Sequence, residues 1–342
     1  MTKPTIIKYS KPSVAVIKNK ESFFLENQKL LDNVTKVNDF YKKQPPRNTC
    51  KTCPQKLGEI DLHVHGIPYS ICKNCNHFNG RHEDTKAFSE FLYSDSDGAN
   101  HSKGYLNTYD DRVNDIYTPK VKFLKEVLDH YQESDFSVTD IGCGGGHFVK
   151  ACENENIMAR GYDSNKALIG LGLTKLSTNK IAHMSFDLID EVIQNTDTKV
   201  LSMIGVLEHL MDPISALQAF QSSKADYLYL QVPLFSFAAI QESMHDSVFP
   251  RQLCSGHTHL YTKESLNFLC NKFNLIKAGE WWFGTDIVDL FRHANVLAKG
   301  ESNKKSTIQK YIGEYIDELQ EVFDRNKMCS GVNMVLKKSS VR

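Results

Sequence analysis

A glycine-rich stretch near the middle of the chain constrains the fold more than any other feature. The stretch Ser137–Val149 reads SVTDIGCGGGHFV, a short β-prone run followed by four glycines within five residues and then by a predicted helix. Glycine lets a strand turn sharply into a helix while its backbone N–H groups stay close enough to contact a ligand. The stretch therefore predicts an α/β fold with a nucleotide-type binding loop; a purely structural tight turn is the alternative.

The spacing of the glycines indicates which nucleotide the loop binds. A dinucleotide fingerprint reads G-x-G-x-x-G, but its third glycine position holds His147. Instead, Gly142, Gly144 and Gly146 form G-x-G-x-G two residues after Asp140. This arrangement resembles the first motif of the class I S-adenosylmethionine-dependent methyltransferases, D-x-G-x-G-x-G. The resemblance implies that the Asp140 carboxylate helps to hold the methionyl end of the cofactor and that the glycine backbone passes beneath it.

A second acidic residue follows at the spacing of a βαβ unit. A helix is predicted from about His147 to Asn154, and residues 157–162 read as a second strand that ends at Asp163, 23 residues beyond Asp140. At this spacing an acidic side chain reaches the ribose hydroxyls of a bound nucleotide. We therefore predict that Asp163 binds the ribose. A helix N-cap is its alternative role, and one aspartate can serve both.

The same resemblance supplies three further cofactor candidates. Residues 181–185 read as the third strand and are followed by Asp187; in the family, an acidic or amide side chain near this position hydrogen-bonds the adenine amine. Tyr105 and Tyr109 precede an amphipathic helix, and tyrosines just before the first motif often line the cofactor pocket in methyltransferases of this kind. The alternatives are a helix cap for Asp187 and ordinary packing for the two tyrosines.

A second motif follows the predicted fourth strand at residues 200–206. Residues 206–213 read V-L-E-H-L-M-D-P, which resembles the corresponding motif of small-molecule methyltransferases. The motif places Glu208 and His209 at the carboxyl end of a parallel strand, where open α/β sheets bind ligands. We expect both side chains to face the methyl group or the substrate; a capping network between this strand and the next helix is the alternative.

Residues 233–258 form a connection too long for an ordinary loop, which predicts a lid beside the ligand edge. The connection runs into the sequence GHTHLY, and related methyltransferases have an H-x-x-x-(Y/F)-(T/S) stretch here whose histidine acts on the acceptor. A neutral imidazole suits the removal of a proton from a hydroxyl or an enolisable carbon. His257 is the first candidate base, and His259 and Tyr261 are the alternates.

Two C-x-x-C pairs precede the glycine-rich stretch. Cys50 and Cys53 are separated from Cys72 and Cys75 by 18 residues, in which the apolar residues at 60, 62 and 64 alternate with polar ones and a turn signal follows at 66–68. Two thiolates in each tight turn supply the four ligands of a closed tetrahedral zinc site. The pattern predicts a β-hairpin with a cysteine pair at each end, a zinc ribbon in which the ion is structural.

The segments combine into a Rossmann-like, seven-stranded methyltransferase sheet with a small N-terminal zinc-ribbon module. The predicted boundaries are an N-terminal helical extension at 1–47, the zinc ribbon at 48–80, a helical linker and cofactor lid at 81–134, and the class I methyltransferase domain at 135–342 with its lid insertion at about 233–258. Lys and Arg balance Asp and Glu at 41 each. This balance argues against a nucleic-acid partner.

The sequence contains no apolar run of 18 residues and begins with no signal peptide, so we expect a cytoplasmic protein without a membrane span. The oligomeric state is left open. The predicted cofactors are S-adenosylmethionine and structural Zn²⁺.

The predicted activity is methyl transfer to a small molecule, a sugar or glycan precursor such as a sugar nucleotide, as in polysaccharide biosynthesis. The order of zinc ribbon and methyltransferase domain over residues 48–290 resembles the sugar C-methyltransferases. Those enzymes carry a further C-terminal domain, which this sequence lacks, so O- or N-methylation is expected at least as much as C-methylation. An RNA methyltransferase that docks through the ribbon and a non-catalytic scaffold are the alternatives.

Overall fold

The computed structural model describes residues 5–19, 25–94, 108–177, 180–253, 256–298 and 300–339. In these ranges the chain forms twelve strands: β1 (Ile6–Tyr9), β2 (Leu62–Val64), β3 (Ile67–Ile71), β4 (Phe78–Gly80), β5 (Ser137–Ile141), β6 (Met158–Asp163), β7 (Ile181–His183), β8 (Val200–Ile204), β9 (Tyr227–Pro233), β10 (His259–Leu260), β11 (Leu275–Phe283) and β12 (Gly331–Lys338).

The same described ranges contain fourteen α-helices: α1 (Ser13–Asn19), α2 (Asn27–Tyr41), α3 (Lys86–Ser94), α4 (Tyr109–Arg112), α5 (Thr118–His130), α6 (His147–Asn154), α7 (Lys166–Leu173), α8 (Ile189–Gln194), α9 (Pro213–Ser222), α10 (Phe237–Glu242), α11 (Lys263–Lys272), α12 (Asp286–Leu297), α13 (Ser302–Tyr311) and α14 (Ile316–Arg325). Short 3₁₀ turns follow β7 and β8, and a π-helical turn joins α4 to α5. No helix in this part of the chain is long and apolar enough to cross a membrane.

Eight strands form the large sheet, in the order β1-β11-β12-β9-β8-β5-β6-β7. The run from β9 to β7 is parallel, whereas β12 lies antiparallel between β9 and β11. This is the Rossmann-like α/β fold expected from the sequence, with one strand more than predicted. The extra strand is β1, which pairs in parallel with β11 so that Ile6 lies beside Gly279. Part of the N-terminal extension, predicted to be helical, is therefore a strand that extends the edge of the sheet.

Helices cover both faces of the large sheet. Adjacent tryptophans in β11 show the two faces: Trp281 belongs to the apolar core on one side and Trp282 to the core on the other, because successive strand residues point to opposite faces. Helix α5 packs on the first of these faces, where a Cβ added to Gly279 would lie 2.4 Å from Val127. Although α5 lies within the segment 81–134 that was predicted as a linker and lid, it covers the sheet.

The cysteine-rich module forms an antiparallel four-stranded sheet in the order β10-β4-β3-β2. The β2–β3 hairpin turns at His65 and Gly66, which have φ angles of +48° and +75° as a two-residue type I′ turn requires. This turn lies one residue before the predicted turn at 66–68, so that Ile67 and Pro68 belong to β3. The fourth strand, β10, comes from the part of the chain that forms the large sheet. The module is therefore completed by a strand that lies some 180 residues further along the sequence, as the pairing of His259 with Asn79 shows.

Candidate active site

The glycine loop between β5 and α6 has the backbone conformation that the sequence predicts. Gly142, Gly144 and Gly146 have φ angles of +70°, +54° and +73°, which side-chain-bearing residues rarely adopt. A Cβ at Gly142 would lie 2.4 Å from Val206, so this glycine is also needed for close packing against the segment after β8. At Gly144 the nearest heavy atom to an added Cβ, on Leu168, is 3.9 Å away. As far as the described residues show, the loop thus leaves open space beside Gly144.

Asp163 closes one side of this loop. Its Oδ2 accepts a hydrogen bond from the Gly144 N–H at 2.8 Å, and its Oδ1 accepts one from the Asn165 N–H at 2.7 Å. Burial raises the pKa of Asp163, and the two backbone donors oppose that shift. The N-cap of α7 is Asn165, whose side chain accepts from Ala167 and Leu168. Asp163 is therefore not the cap itself; its carboxylate lies beside the open side of Gly144.

Asp140 is more buried than a residue at an open, ligand-binding edge of the sheet would be. Its side chain is 3% exposed, and its Oδ1 accepts a 2.6 Å hydrogen bond from Ser202 Oγ on the neighbouring strand β8. Burial raises the pKa of Asp140 to about 7, and the Ser202 hydrogen bond opposes the shift. The carboxylate therefore fixes β5 against β8 below the loop. Ser202 was not predicted; its only sequence signal is a polar residue within an apolar strand.

The remaining cofactor candidates have different surroundings. Tyr109 is buried; its hydroxyl donates to the Gly145 carbonyl at 3.0 Å, and its ring stacks on His147 at 4.2 Å between centroids. It therefore supports the glycine loop from within the core. Asp187 is exposed in the 3₁₀ turn after β7 and pairs with Lys86 at 2.9 Å. Tyr105 lies outside the described residues.

Three of the predicted catalytic side chains lie close together in space, two of them from the segment that follows β8. Donor atoms of Glu208, His209 and His257 all lie within 4.8 Å of one another. Glu208 is 3% exposed, and burial raises its pKa to about 8. The rings of His209 and His257 face each other at 4.9 Å between centroids, and burial lowers the pKa of His209 to about 4. The structure thus joins the motif after β8 to the end of the long insertion in one cluster, which we call the acceptor cluster.

Backbone carbonyls orient both histidines of the acceptor cluster. His209 Nδ1 lies 3.2 Å from the Gly256 carbonyl oxygen, and His257 Nδ1 lies 2.7 Å from the Gln252 carbonyl oxygen. A carbonyl accepts only, so each imidazole carries its proton on Nδ1 when neutral, and Nε2 is its basic nitrogen. Gly205, which was not predicted, leaves space in this region: its φ is +68°, and among the described residues other than its chain neighbours an added Cβ would approach only Glu208 Oε1 within 4 Å, at 3.7 Å.

The alternate bases His259 and Tyr261 lie in the protein interior. His259 is 1% exposed, and its Nδ1 lies 2.8 Å from Nε2 of His77, which precedes β4. Tyr261 is fully buried; its ring packs edge-on against both histidines, and its hydroxyl donates to the Leu207 carbonyl at 3.5 Å. The pKa values of His77 and His259 are lowered by burial. His259 and Tyr261 therefore join the cysteine module to the large sheet, and their role as alternate bases stays a prediction.

The four cysteines of the two C-x-x-C pairs converge. Their sulfur atoms lie within 4.8 Å of one another, with 3.6 Å between Cys50 and Cys75 and 3.5 Å between Cys53 and Cys72. Four sulfurs at about 2.3 Å from a tetrahedral zinc ion lie roughly 3.8 Å apart. The donor set and its spacing therefore fit a four-thiolate metal site.

Residues 109–276 match the protein family described as a methyltransferase domain. The chain contains a methyltransferase domain. Together with the glycine loop and the acidic residue after β6, this match identifies an S-adenosylmethionine-dependent methyltransferase. No curated protein sequence matches the chain.

Several solved structures are similar to this methyltransferase. One is an S-adenosylmethionine-dependent methyltransferase from Archaeoglobus fulgidus, with 19% identity, a TM-score of 0.37, and coverage of 64% of this chain and 94% of that chain. Another is a plantazolicin methyltransferase in complex with S-adenosylhomocysteine and a substrate analogue, with 12% identity, a TM-score of 0.45, and coverage of 73% and 94%. A third is the magnesium protoporphyrin IX methyltransferase from Synechocystis PCC 6803, with 11% identity, a TM-score of 0.42, and coverage of 65% and 84%.

Proposed function

We propose that this enzyme transfers the methyl group of S-adenosylmethionine to a small sugar-containing acceptor, such as a sugar nucleotide or glycan precursor, held at the acceptor cluster. The observation that supports this proposal is the position of the cluster. Val206 touches the glycine loop at Gly142, and Glu208 follows two residues later. An acceptor beside Glu208 and His257 would therefore lie next to the loop that holds the cofactor.

The chain offers a suitable place for the cofactor. The open side of Gly144 gives room for close approach to the backbone, and the Asp163 carboxylate beside it is an acceptor for ribose hydroxyls. Asp187 is proposed as the adenine ligand. Its exposed carboxylate would have to release the ion pair with Lys86 in order to accept a hydrogen bond from the adenine amine. The bound cofactor supplies an electrophilic sulfonium methyl group, so the protein has to align the acceptor and manage its proton.

The acceptor cluster is proposed to assist the removal of that proton from the acceptor. A hydroxyl or enolisable carbon must lose a proton as its bond to the methyl carbon forms, and a neutral imidazole is a suitable group to assist. His257 is the first candidate because its Nδ1 is anchored on the Gln252 carbonyl, so that Nε2 is the basic nitrogen. His209 and Glu208 complete the cluster. The side chains act on the proton either directly or through an ion that they hold.

The cysteine site is proposed to hold a structural zinc ion. Four cysteine ligands leave no open position on zinc, which excludes a catalytic role. Beside the site lies the joint between β4 and β10, where the Gly80 N–H donates to the Thr258 carbonyl at 2.8 Å. Thr258 follows His257 directly in sequence. Zinc at the cysteines would therefore stabilise the module that positions the acceptor cluster.

The choice of a sugar over RNA rests on two features of the chain. The order of cysteine module and methyltransferase domain resembles that of sugar methyltransferases, and the formal net charge is zero. RNA binding depends on neutralising phosphates with an excess of basic side chains. A non-catalytic scaffold has no need for the acceptor cluster, whose buried carboxylate is costly to keep.

The test is transfer of labelled methyl groups from S-adenosylmethionine into a cell extract. The extract is then fractionated into nucleotide sugars and small metabolites, polysaccharide, protein and RNA. We expect label in the sugar-containing fractions. Gly144→Val is the matched control, because a β-branched side chain at φ +54° would fill the cofactor space and abolish labelling of every fraction. Label confined to nuclease-sensitive material would overturn the sugar assignment.

A further inference from the structure

We propose that Glu208, His209 and His257 bind a divalent metal cation of the class that prefers imidazole and carboxylate ligands, such as Mn²⁺, Fe²⁺, Co²⁺ or Zn²⁺. Two histidines and one carboxylate with open positions are a recurrent set of ligands for such ions. Donor atoms around an ion at about 2.1 Å lie roughly 3 to 4 Å apart. The donor atoms of the cluster lie within 4.8 Å of one another, so small side-chain rotations would bring them to these separations.

The hydrogen bonds behind the two histidines support the proposal. Histidines that bind a metal through one ring nitrogen usually donate the other N–H to a carbonyl or carboxylate, which fixes the tautomer and the ring orientation. His209 and His257 both have this arrangement, with Nδ1 on the carbonyls of Gly256 and Gln252. The second nitrogen of His209, Nε2, lies 4.0 Å from Glu208 Oε1, on the side where the ion would bind.

Glu208 provides an independent observation. Its side chain is 3% exposed, and its Oε2 has no hydrogen-bond partner among the described residues. A buried carboxylate requires hydrogen-bond donors or a positive charge, and unexplained buried polar atoms indicate a missing water or ion. Gly205 leaves space on this side, because it carries no side chain and, among the described residues other than its own chain neighbours, only Glu208 Oε1 lies within 4 Å of where its Cβ would be.

The site is separate from the cysteine cluster in chemistry. Its nitrogen and oxygen donors suit harder ions than the four thiolates do. It also leaves positions on the ion for a ligand, whereas the four-cysteine site is closed.

The consequence for the reaction rests on the proposed function. An acceptor hydroxyl or vicinal diol would bind the ion through oxygen, and the positive charge would lower the pKa of the hydroxyl. The proton would leave to solvent, the oxygen would form its bond to the methyl carbon, and the carbon–sulfur bond would break with its electron pair on sulfur, which yields S-adenosylhomocysteine. In this mode the three side chains are ligands, and the acceptor is a hydroxyl compound.

The experiment is a titration of the full-length protein, loaded with one zinc ion per chain for the cysteines, with Mn²⁺, followed by electron paramagnetic resonance, and with Co²⁺, followed by visible absorption. Mn²⁺ competes poorly for thiolates, and a cobalt spectrum without thiolate charge-transfer bands separates this site from the cysteines. We expect one additional ion per chain. In Glu208→Gln and in His257→Ala, affinity should fall by about tenfold or more. In His245→Ala, which changes an exposed histidine outside the cluster, affinity should be unchanged.

Circular dichroism and S-adenosylhomocysteine binding establish that each variant is folded. If neither ion binds the wild-type protein beyond its zinc content, or if the two cluster variants bind as tightly as the wild type, the proposal is overturned. The titration needs no acceptor, so its result does not depend on whether the sugar assignment is correct.

Discussion

Substitution of Gly80 tests the joint between the cysteine module and the methyltransferase sheet. Gly80 ends β4, and its N–H donates to the Thr258 carbonyl at 2.8 Å, next to β10. A Cβ at this position would lie 2.5 Å from that carbonyl oxygen and 2.7 Å from the Tyr41 hydroxyl. Gly80→Ala therefore forces the two segments apart at the place where the chain leads from His257 into β10.

The size of the effect follows from these contacts. Real Cβ atoms essentially never come closer than 3.0 Å to a neighbouring atom. The Thr258 carbonyl oxygen would lie 2.5 Å from the added Cβ, so it has to move away by about 0.5 Å. The movement weakens the hydrogen bond from Gly80, which costs about 1 kcal/mol. Overpacking against Tyr41 adds about 1 to 3 kcal/mol. We expect Gly80→Ala to reduce the free energy of unfolding by about 2 to 4 kcal/mol, a fall in Tm of about 3 to 6 °C for a chain of this length.

The assay combines thermal unfolding with methyl transfer. Because His257 precedes Thr258, we expect methyl transfer by Gly80→Ala to fall more than the affinity for S-adenosylhomocysteine. The matched control is Gly170→Ala in α7, where an added Cβ meets nothing within 4 Å and alanine favours the helix by about 1 kcal/mol. An unchanged Tm and unchanged transfer in Gly80→Ala would refute the reasoning that this joint positions the acceptor cluster.

Three further predictions concern the cofactor loop and the cysteines. Asp163→Asn removes the carboxylate proposed to bind the ribose, so calorimetry should show S-adenosylhomocysteine binding weakened by about tenfold or more; equal affinity would exclude a ribose contact. Burial raises the pKa of Asp140 from 3.8 to about 7, so ionisation of the wild type costs stability progressively between about pH 4 and pH 7. Asp140→Asn still offers Ser202 an oxygen, and its Tm relative to wild type should rise between about pH 4 and pH 7; a constant difference would contradict the raised pKa. Cys72→Ser should lower the zinc content measured by mass spectrometry and the Tm together, and full zinc occupancy in this variant would exclude the four-cysteine site.

The sequence predicted the cofactor loop well because its determinants are local. The positive φ angles of Gly142, Gly144 and Gly146 follow from a sharp strand-to-helix turn that only glycine accommodates without strain. The convergence of the two C-x-x-C pairs is similar, since each pair sits in one tight turn.

The long-range pairings could not be predicted in the same way. Residues 6–9 are too short to signal a strand by periodicity, and β1 exists because it can pair with the edge of β11. Likewise, nothing in the sequence GHTHLY indicates that His257 joins Glu208 while His259 turns inward to His77. That difference arises from the pairing of β10 with β4, which joins segments about 180 residues apart. The residue types of the proposed site could therefore be predicted from the sequence, whereas the different surroundings of the two neighbouring histidines could not.

The most direct test of the account compares methyl transfer and cofactor binding in His257→Ala. The proposed site has a cofactor half at Gly144 and Asp163 and an acceptor half at His257, and the function of each half is measured in the same protein. We expect S-adenosylhomocysteine to bind with an affinity within about twofold of wild type, and transfer of labelled methyl groups to fall by about 100-fold or more. Unchanged transfer in this variant would contradict the central claim that the acceptor cluster is the catalytic site.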